Sequence, residues 1–300
     1  MINPSMNSQS RVKPITAYIK DAIKFYDLDN PFVAQILFLV QLGILFGGYW
    51  FARPYVQEFA ILFEQFSVRF KEQLQQLGKV VDISIINTDL YANLVNASAR
   101  VLLIILVIRI LSFFISLFYG TYYHFSLTQP TMRGSQRFMV YLRRLPKLII
   151  FNVLFYIAFF IGALVLTLVS GFITLIVPVF SLVNLLLPVF LFGLMALFIF
   201  KDLLIIEFDV GIFNNFKRSW DITRDCKRNV IVNGMFPLCV SLIISLFAMD
   251  VGNLLLALFI SSFFEVIIIM ITRRLTVLMF ADAASLERHD LNKKPLKTQE

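Results

Sequence analysis

Six stretches of the chain are apolar at nearly every position, at about 32–52, 99–126, 148–170, 178–200, 230–249 and 251–272. A helix rises about 1.5 Å per residue, so about 20 apolar residues cross the roughly 30 Å hydrocarbon core of a bilayer. A membrane barrel would instead alternate in segments of about ten residues. The expected fold is therefore all-α, a polytopic transmembrane helical bundle of six spans in a single integral-membrane domain over residues 1–300. Between residues 148 and 200 no charge occurs, which predicts a tight hairpin of two spans within lipid.

The connecting segments carry helical periodicity. At 12–28, Ile15, Tyr18, Ile19, Ala22, Ile23 and Tyr26 share one face and Lys20, Asp21, Lys24 and Asp27 the other. That pattern predicts an amphipathic helix at the membrane surface or packed on the bundle. Asp29-Asn30-Pro31 caps and starts the first span. Gly43, Gly47 and Gly48 give that span a small-residue face. Residues 53–98 form a long hydrophilic insertion, with apolar positions from 55 to 77 at helical spacing, Gly78 as a stop and a second short helix at 82–96. Further surface helices are expected at 136–145 and 210–224. Residues 1–11 and 288–300 are expected to be flexible tails.

Composition agrees with this class. The chain is 59% hydrophobic and 15% charged, with mean hydropathy +0.80; soluble domains carry about 25% charged residues. Residues 1–31 lack the apolar core and cleavage site of a signal peptide, so the first apolar run is expected to act as its own insertion signal. Of 27 Lys and Arg, 21 fall in 1–31, 127–147, 201–229 and 273–300, and 5 in the alternate segments. This bias places both termini in the cytoplasm and 53–98 outside. The net charge of +8 then belongs to a cytoplasmic face favoured by anionic lipid, and no nucleic-acid partner is implied. Two cysteines, Cys226 and Cys239, give neither a disulfide framework nor a metal site.

Candidate chemistry is sparse. Arg109 and Glu265 are the ionisable residues well inside spans, where charge is costly and marks function by default. If their helices touch they form an intramembrane pair; the plainer reading is snorkelling or a structural ion pair. Pro178, Pro188 and Pro237, near Ser181, Asn184, Asn233 and Ser241, could break helices and line a polar path. His124 and His289 are the only histidines, and no metal, hydrolase or nucleotide motif occurs. Asp202, Glu207, Asp209, Asp221 and Asp225 show no acid–base spacing; solvated pairing with Lys217, Arg218 and Arg224 is expected instead. No cofactor is implied.

The most polar stretch of the second half is 201–229. Within it Phe213, Phe216, Trp220 and Thr223 lie on one helical face, with Lys217, Arg218, Arg224, Lys227 and Arg228 able to reach lipid phosphates. Phe216-Lys217-Arg218-Ser219-Trp220, then Ile222-Thr223-Arg224, resembles the signature of a six-span bacterial inner-membrane family that includes the integral-membrane domain of some glycerophosphodiester phosphodiesterases. Ile205-Ile206-Glu207 and Tyr119-Gly120-Thr121-Tyr122 are similar as well, and the layout agrees over about 12–285. Asp225 and Cys226 stand where a Gly usually follows in that family. In those enzymes catalysis belongs to a separate soluble domain, so the resemblance carries no catalytic residues. It implies an envelope protein dealing with lipid or partner proteins. The expected function is a non-enzymatic protein of the bacterial inner membrane that binds lipid, anionic lipid in particular, or scaffolds a membrane-protein partner. Lys217, Arg218, Trp220 and Arg224 are its candidate contacts. The alternative is a transporter or permease subunit with a cavity near Arg109 and Glu265.

Overall fold

The computed structural model describes residues 11–76, 89–176, 181–248 and 253–289. Among these the chain is helical and carries no strand. A short 3-10 turn at Ile15–Ala17 leads into α1 (Ile19–Ile23). The long helices are α2 (Pro31–Gln76), α3 (Asp89–Thr128), α4 (Gly134–Ile176), α5 (Ser181–Leu197), α8 (Lys227–Ala248) and α9 (Leu254–Ala283). Two shorter helices, α6 (Lys201–Phe208) and α7 (Ile212–Thr223), lie between α5 and α8. Six segments are long and apolar enough to cross a membrane, so the fold is an all-α polytopic bundle. Exposed residues such as Phe160, Ile161 and Phe172 on α4 confirm the solvent: a contiguous apolar surface of this kind belongs in lipid.

Helix ends depart from the hydropathy boundaries. The first span and the expected helix at 55–77 are one helix, α2, running through Pro54. Likewise 136–145 joins the third span in α4 through Pro146, and 89–96 joins the second in α3. A proline forfeits one backbone bond and its ring crowds the preceding turn, which bends a helix without ending it when the flanking turns are held. Asn30 Oδ1 accepts from the Phe32 amide at 3.1 Å and caps α2, with Pro31 at its first position. The expected stop at Gly78, the helix start at 82–88, Pro178, the turn at 250–252 and most of both tails lie outside the described residues.

The helices form two compact units. One takes in Met1–Gln35, Ser116–Leu246 and Ile267–Glu300. Its core is α6, buried from Lys201 to Ile206, with the last turns of α3 and the stretch of α9 from Leu275 to Ala283. The segment 12–28 is not the continuous surface helix expected. It is a strap: Val12, Tyr18 and Ala22 are buried, while Ile23 and Tyr26 are exposed. Asn229 Nδ2 donates to the Val12 carbonyl at 2.6 Å and Asn233 Nδ2 to that of Lys13 at 2.9 Å. Tyr119 Oη donates to the Phe25 carbonyl at 2.5 Å. Tyr18 Oη donates to Asp282 Oδ2 at 2.6 Å; burial and that bond push the phenol well above its ordinary pKa, so it remains a donor. α9 closes with Ser285 in the left-handed region, φ 53°. The Leu286 amide bonds the Ala281 carbonyl and the Ser285 amide that of Asp282, a Schellman cap. Arg288 is buried beside Asp282, so the tail is held at its first residue.

The second unit takes in Ile36–Ile115 and Phe247–Val266. Phe38 meets Phe263 and Phe46 meets Phe259 edge to face. Gln41 Nε2 donates to Ser112 Oγ. Of the three glycines on α2, only Gly48 is closely approached. A Cβ there would lie 2.7 Å from Ile108 Cγ1, whereas Gly43 and Gly47 face open space. We expect Gly48→Ala to lower stability by about 1–3 kcal/mol through overpacking. Gly43→Ala and Gly47→Ala should be neutral or raise it by about 0.5–1 kcal/mol, since alanine favours helix. Denaturant titration in detergent checks this. Equal effects at all three positions would contradict the close α2–α3 contact.

Candidate functional site

Between α5 and α8 the chain leaves the pattern of simple spans. α6 is too short to cross a membrane and buries a charged pair. Lys201 Nζ donates to Asp202 Oδ1 at 2.9 Å and also to Asn152 Oδ1. Asn152 Nδ2 donates to Asp202 Oδ1 at 2.9 Å, and Arg273 Nη1 lies 3.7 Å from Oδ2. The ammonium sits 5.1 Å from the Phe155 ring centre and 5.4 Å from that of Tyr156, an aromatic wall that stabilises a desolvated cation. Asp202 is therefore not a solvated carboxylate.

Glu207 and Asp209 are also engaged away from Lys217, Arg218 and Arg224, while Asp221 shares a cleft with Lys217 and Arg218. Glu207 Oε2 lies 2.8 Å from Nε2 of the fully buried His124, which packs on Phe125 and Phe280. Asp209 ends α6 in the left-handed region, φ 49°. Its carboxylate pairs with Arg144 and Lys147 of α4, which offsets the backbone strain.

α7 presents three faces. Asn215, Ser219 and Thr223 recur every fourth residue and are buried; Asn215 Nδ2 donates to the Lys201 carbonyl at 2.9 Å. Small polar side chains here let α7 sit close on α6. The aromatic face is divided. Phe216 packs on Phe151 and Phe155, while Phe213 is 84% exposed and Trp220 is 40% exposed. Thr223 thus belongs to the buried face rather than with these aromatics. The third face carries Asn214, Lys217, Arg218 and Asp221 along an open cleft of about 370 Å³. Arg218 lies 5.1 Å from the Phe208 ring, and Lys227 lies 4.3 Å from the Trp220 ring. Lys217 and Arg224 are exposed. The arrangement sets cations beside exposed aromatic rings on α7 and the adjoining ends of α6 and α8.

Arg109 and Glu265 meet in the second unit. Arg109 Nη1 donates to Glu265 Oε1, and Tyr49 Oη donates to Oε2 at 3.1 Å. The guanidinium lies 5.8 Å from the Tyr49 ring. The arginine side chain is 53% exposed and the glutamate 23%. Pro188 and Pro237 lie inside α5 and α8, which continue past them.

Three features escape sequence reading: the Lys201–Asp202–Asn152 cluster, the His124–Glu207 pair, and Arg137, which is buried against Asp29 at 2.8 Å. Asn152, the one amide side chain in the apolar run 148–170, was the one local signal. Among the described residues no group of His, Cys, Asp and Glu could hold a metal ion. Compared with protein-family models, curated proteins and solved structures, the chain matches none.

Proposed function

We propose that this is a non-enzymatic, multi-pass protein of the bacterial inner membrane, with both termini cytoplasmic, that holds anionic lipid through α7. The same reading covers a scaffold role, with α7 docking a membrane partner. The observation that carries it is the composition of α7's outer faces. Phe213 and Trp220 are exposed beside Lys217, Arg218 and Arg224. Aromatic rings favour the headgroup layer, and each nearby cation gains about 1 kcal/mol from an anionic leaflet. The positive-inside bias puts this segment on the cytoplasmic side, where anionic lipid resides. The resemblance to the membrane domain of glycerophosphodiester phosphodiesterases rests on this helix and points the same way.

The transporter reading has weaker support. Arg109 and Glu265 neutralise each other, and the apolar cleft beside Tyr49, lined by Trp50, Val56, Ile105 and Leu254, includes neither.

Native mass spectrometry of protein extracted gently from its membrane tests the proposal. Wild type should retain anionic phospholipid or a stoichiometric partner. Lys217→Gln/Arg218→Gln/Arg224→Gln should lose it, with affinity reduced about tenfold or more for three cations removed. A bare monomer from wild type would count against both forms of the reading.

A further inference from the structure

A second cleft, of about 440 Å³, opens where α2 begins, α3 ends and α4 begins. The apolar runs 32–52 and 99–126 end beside Asp29 and Pro130, which sets the cleft near headgroup level, while α4 enters its own apolar run only at 148. Its apolar lining includes Val33, Phe118 and Met132, and its charged lining is Asp29 and Arg137. Arg137 is unusual for a cation at a membrane boundary because it is 2% exposed. Its Nη2 donates to Asp29 Oδ2 at 2.8 Å, and its plane lies 4.8 Å from the Tyr122 ring. Nε and Nη1 have no partner among the described residues. Buried donors left unmade are destabilising, and a guanidinium is best completed by a planar or tetrahedral oxyanion. Asp29 is half exposed at the same cleft.

We propose that this cleft binds a zwitterionic phosphoethanolamine headgroup, the phosphate on Arg137 and the ammonium on Asp29. The two protein charges cancel, so a purely anionic headgroup would gain Arg137 and be repelled by Asp29. A headgroup carrying both charges satisfies both. Exposed Phe32, Phe138 and Met139 flank the span ends and offer apolar surface for acyl chains. This site is independent of α7, which takes net negative charge and lacks a buried arginine.

The test uses the full chain in detergent, titrated with phosphatidylethanolamine, phosphatidylglycerol or free phosphoethanolamine, and read by native mass spectrometry. In the Lys217→Gln/Arg218→Gln/Arg224→Gln background, which removes the α7 contribution, the protein should retain phosphatidylethanolamine over phosphatidylglycerol by about tenfold. Arg137→Gln should abolish this preference. Asp29→Asn should shift it toward phosphatidylglycerol. Met132→Trp fills the cleft without touching either charge and should remove retention in a folded protein. Restoring the three α7 cations should add retained phosphatidylglycerol and leave retained phosphatidylethanolamine unchanged, which separates failure of this site from failure of the α7 reading. Competition by free phosphoethanolamine would assign the site to the headgroup alone, and failure to compete would assign it to the intact lipid. Equal retention of the two lipids in the α7 triple background, or an unchanged preference when Arg137→Gln and Met132→Trp are each added to it, would overturn the proposal.

Discussion

Asp202→Ala should destabilise the protein by about 3–5 kcal/mol, the penalty for leaving a buried charge unpaired. Removing the carboxylate takes from Lys201, whose ammonium lies among aromatic rings, the anion to which it donates beside Asn152. It also deprives Arg273 of the anion 3.7 Å away. Water cannot readily replace these contacts, because α6 is buried from Lys201 to Ile206. Lys201→Met should be costly for the converse reason. The double variant Lys201→Met/Asp202→Leu should recover most of the loss, since an apolar pair of similar volume can stand in for a buried ion pair. Unfolding by SDS titration, followed through Trp50 and Trp220, reads all three. A loss below about 1 kcal/mol in Asp202→Ala would be the value of an exposed pair and would mean that solvent reaches the cluster.

The second large effect is expected at Glu265. Glu265→Leu leaves Arg109 facing lipid without its anion and removes the acceptor of Tyr49. An unpaired arginine within a span costs about 2.5–3.5 kcal/mol on insertion scales, and snorkelling reduces this because Arg109 is half exposed. We expect a loss of about 2 kcal/mol. Arg109→Leu should lose less, because Tyr49 still donates to the carboxylate. Arg109→Leu/Glu265→Leu should be clearly more stable than the sum of the single losses predicts. Strictly additive losses would show that the two residues do not act as a pair.

The six spans were legible because hydropathy reports the solvent around each helix, and lipid demands apolar side chains over a fixed length. Helix length was not legible for the same reason. Hydropathy changes at the membrane boundary near Arg53 and near Lys147, but the backbone need not stop there, and α2 and α4 run on through Pro54 and Pro146. The strap at 12–28 shows a different limit. Its apolar spacing indicated a helical face, but Asn229 and Asn233 capture its carbonyls from more than 200 residues away. Arg109 and Glu265 stood out because each interrupts an apolar run. Lys201 and Asp202 did not, because they sit at the edge of one and read as part of the cytoplasmic charge. Their burial depends on Asn152, about 50 positions earlier, and no local pattern carries that separation. His124 and Glu207 are likewise 83 positions apart. α7 was legible as a helix with cations on it. Which face it buries was not, because Asn215, Ser219 and Thr223 look like surface residues until α6 is set against them.

The most direct measurement is the lipid environment of Trp220. In a Trp50→Phe background it is the sole tryptophan. Its fluorescence would be read in nanodiscs holding spin-labelled phosphatidylglycerol or spin-labelled phosphatidylcholine, with the label either shallow or deep on the acyl chain. The account predicts stronger quenching by shallow than by deep labels, and stronger quenching by phosphatidylglycerol than by phosphatidylcholine. The second difference should vanish in the Lys217→Gln/Arg218→Gln/Arg224→Gln variant. Quenching by aqueous acrylamide but by neither lipid, or equal quenching by both lipids, would contradict α7 as an anchor for anionic lipid.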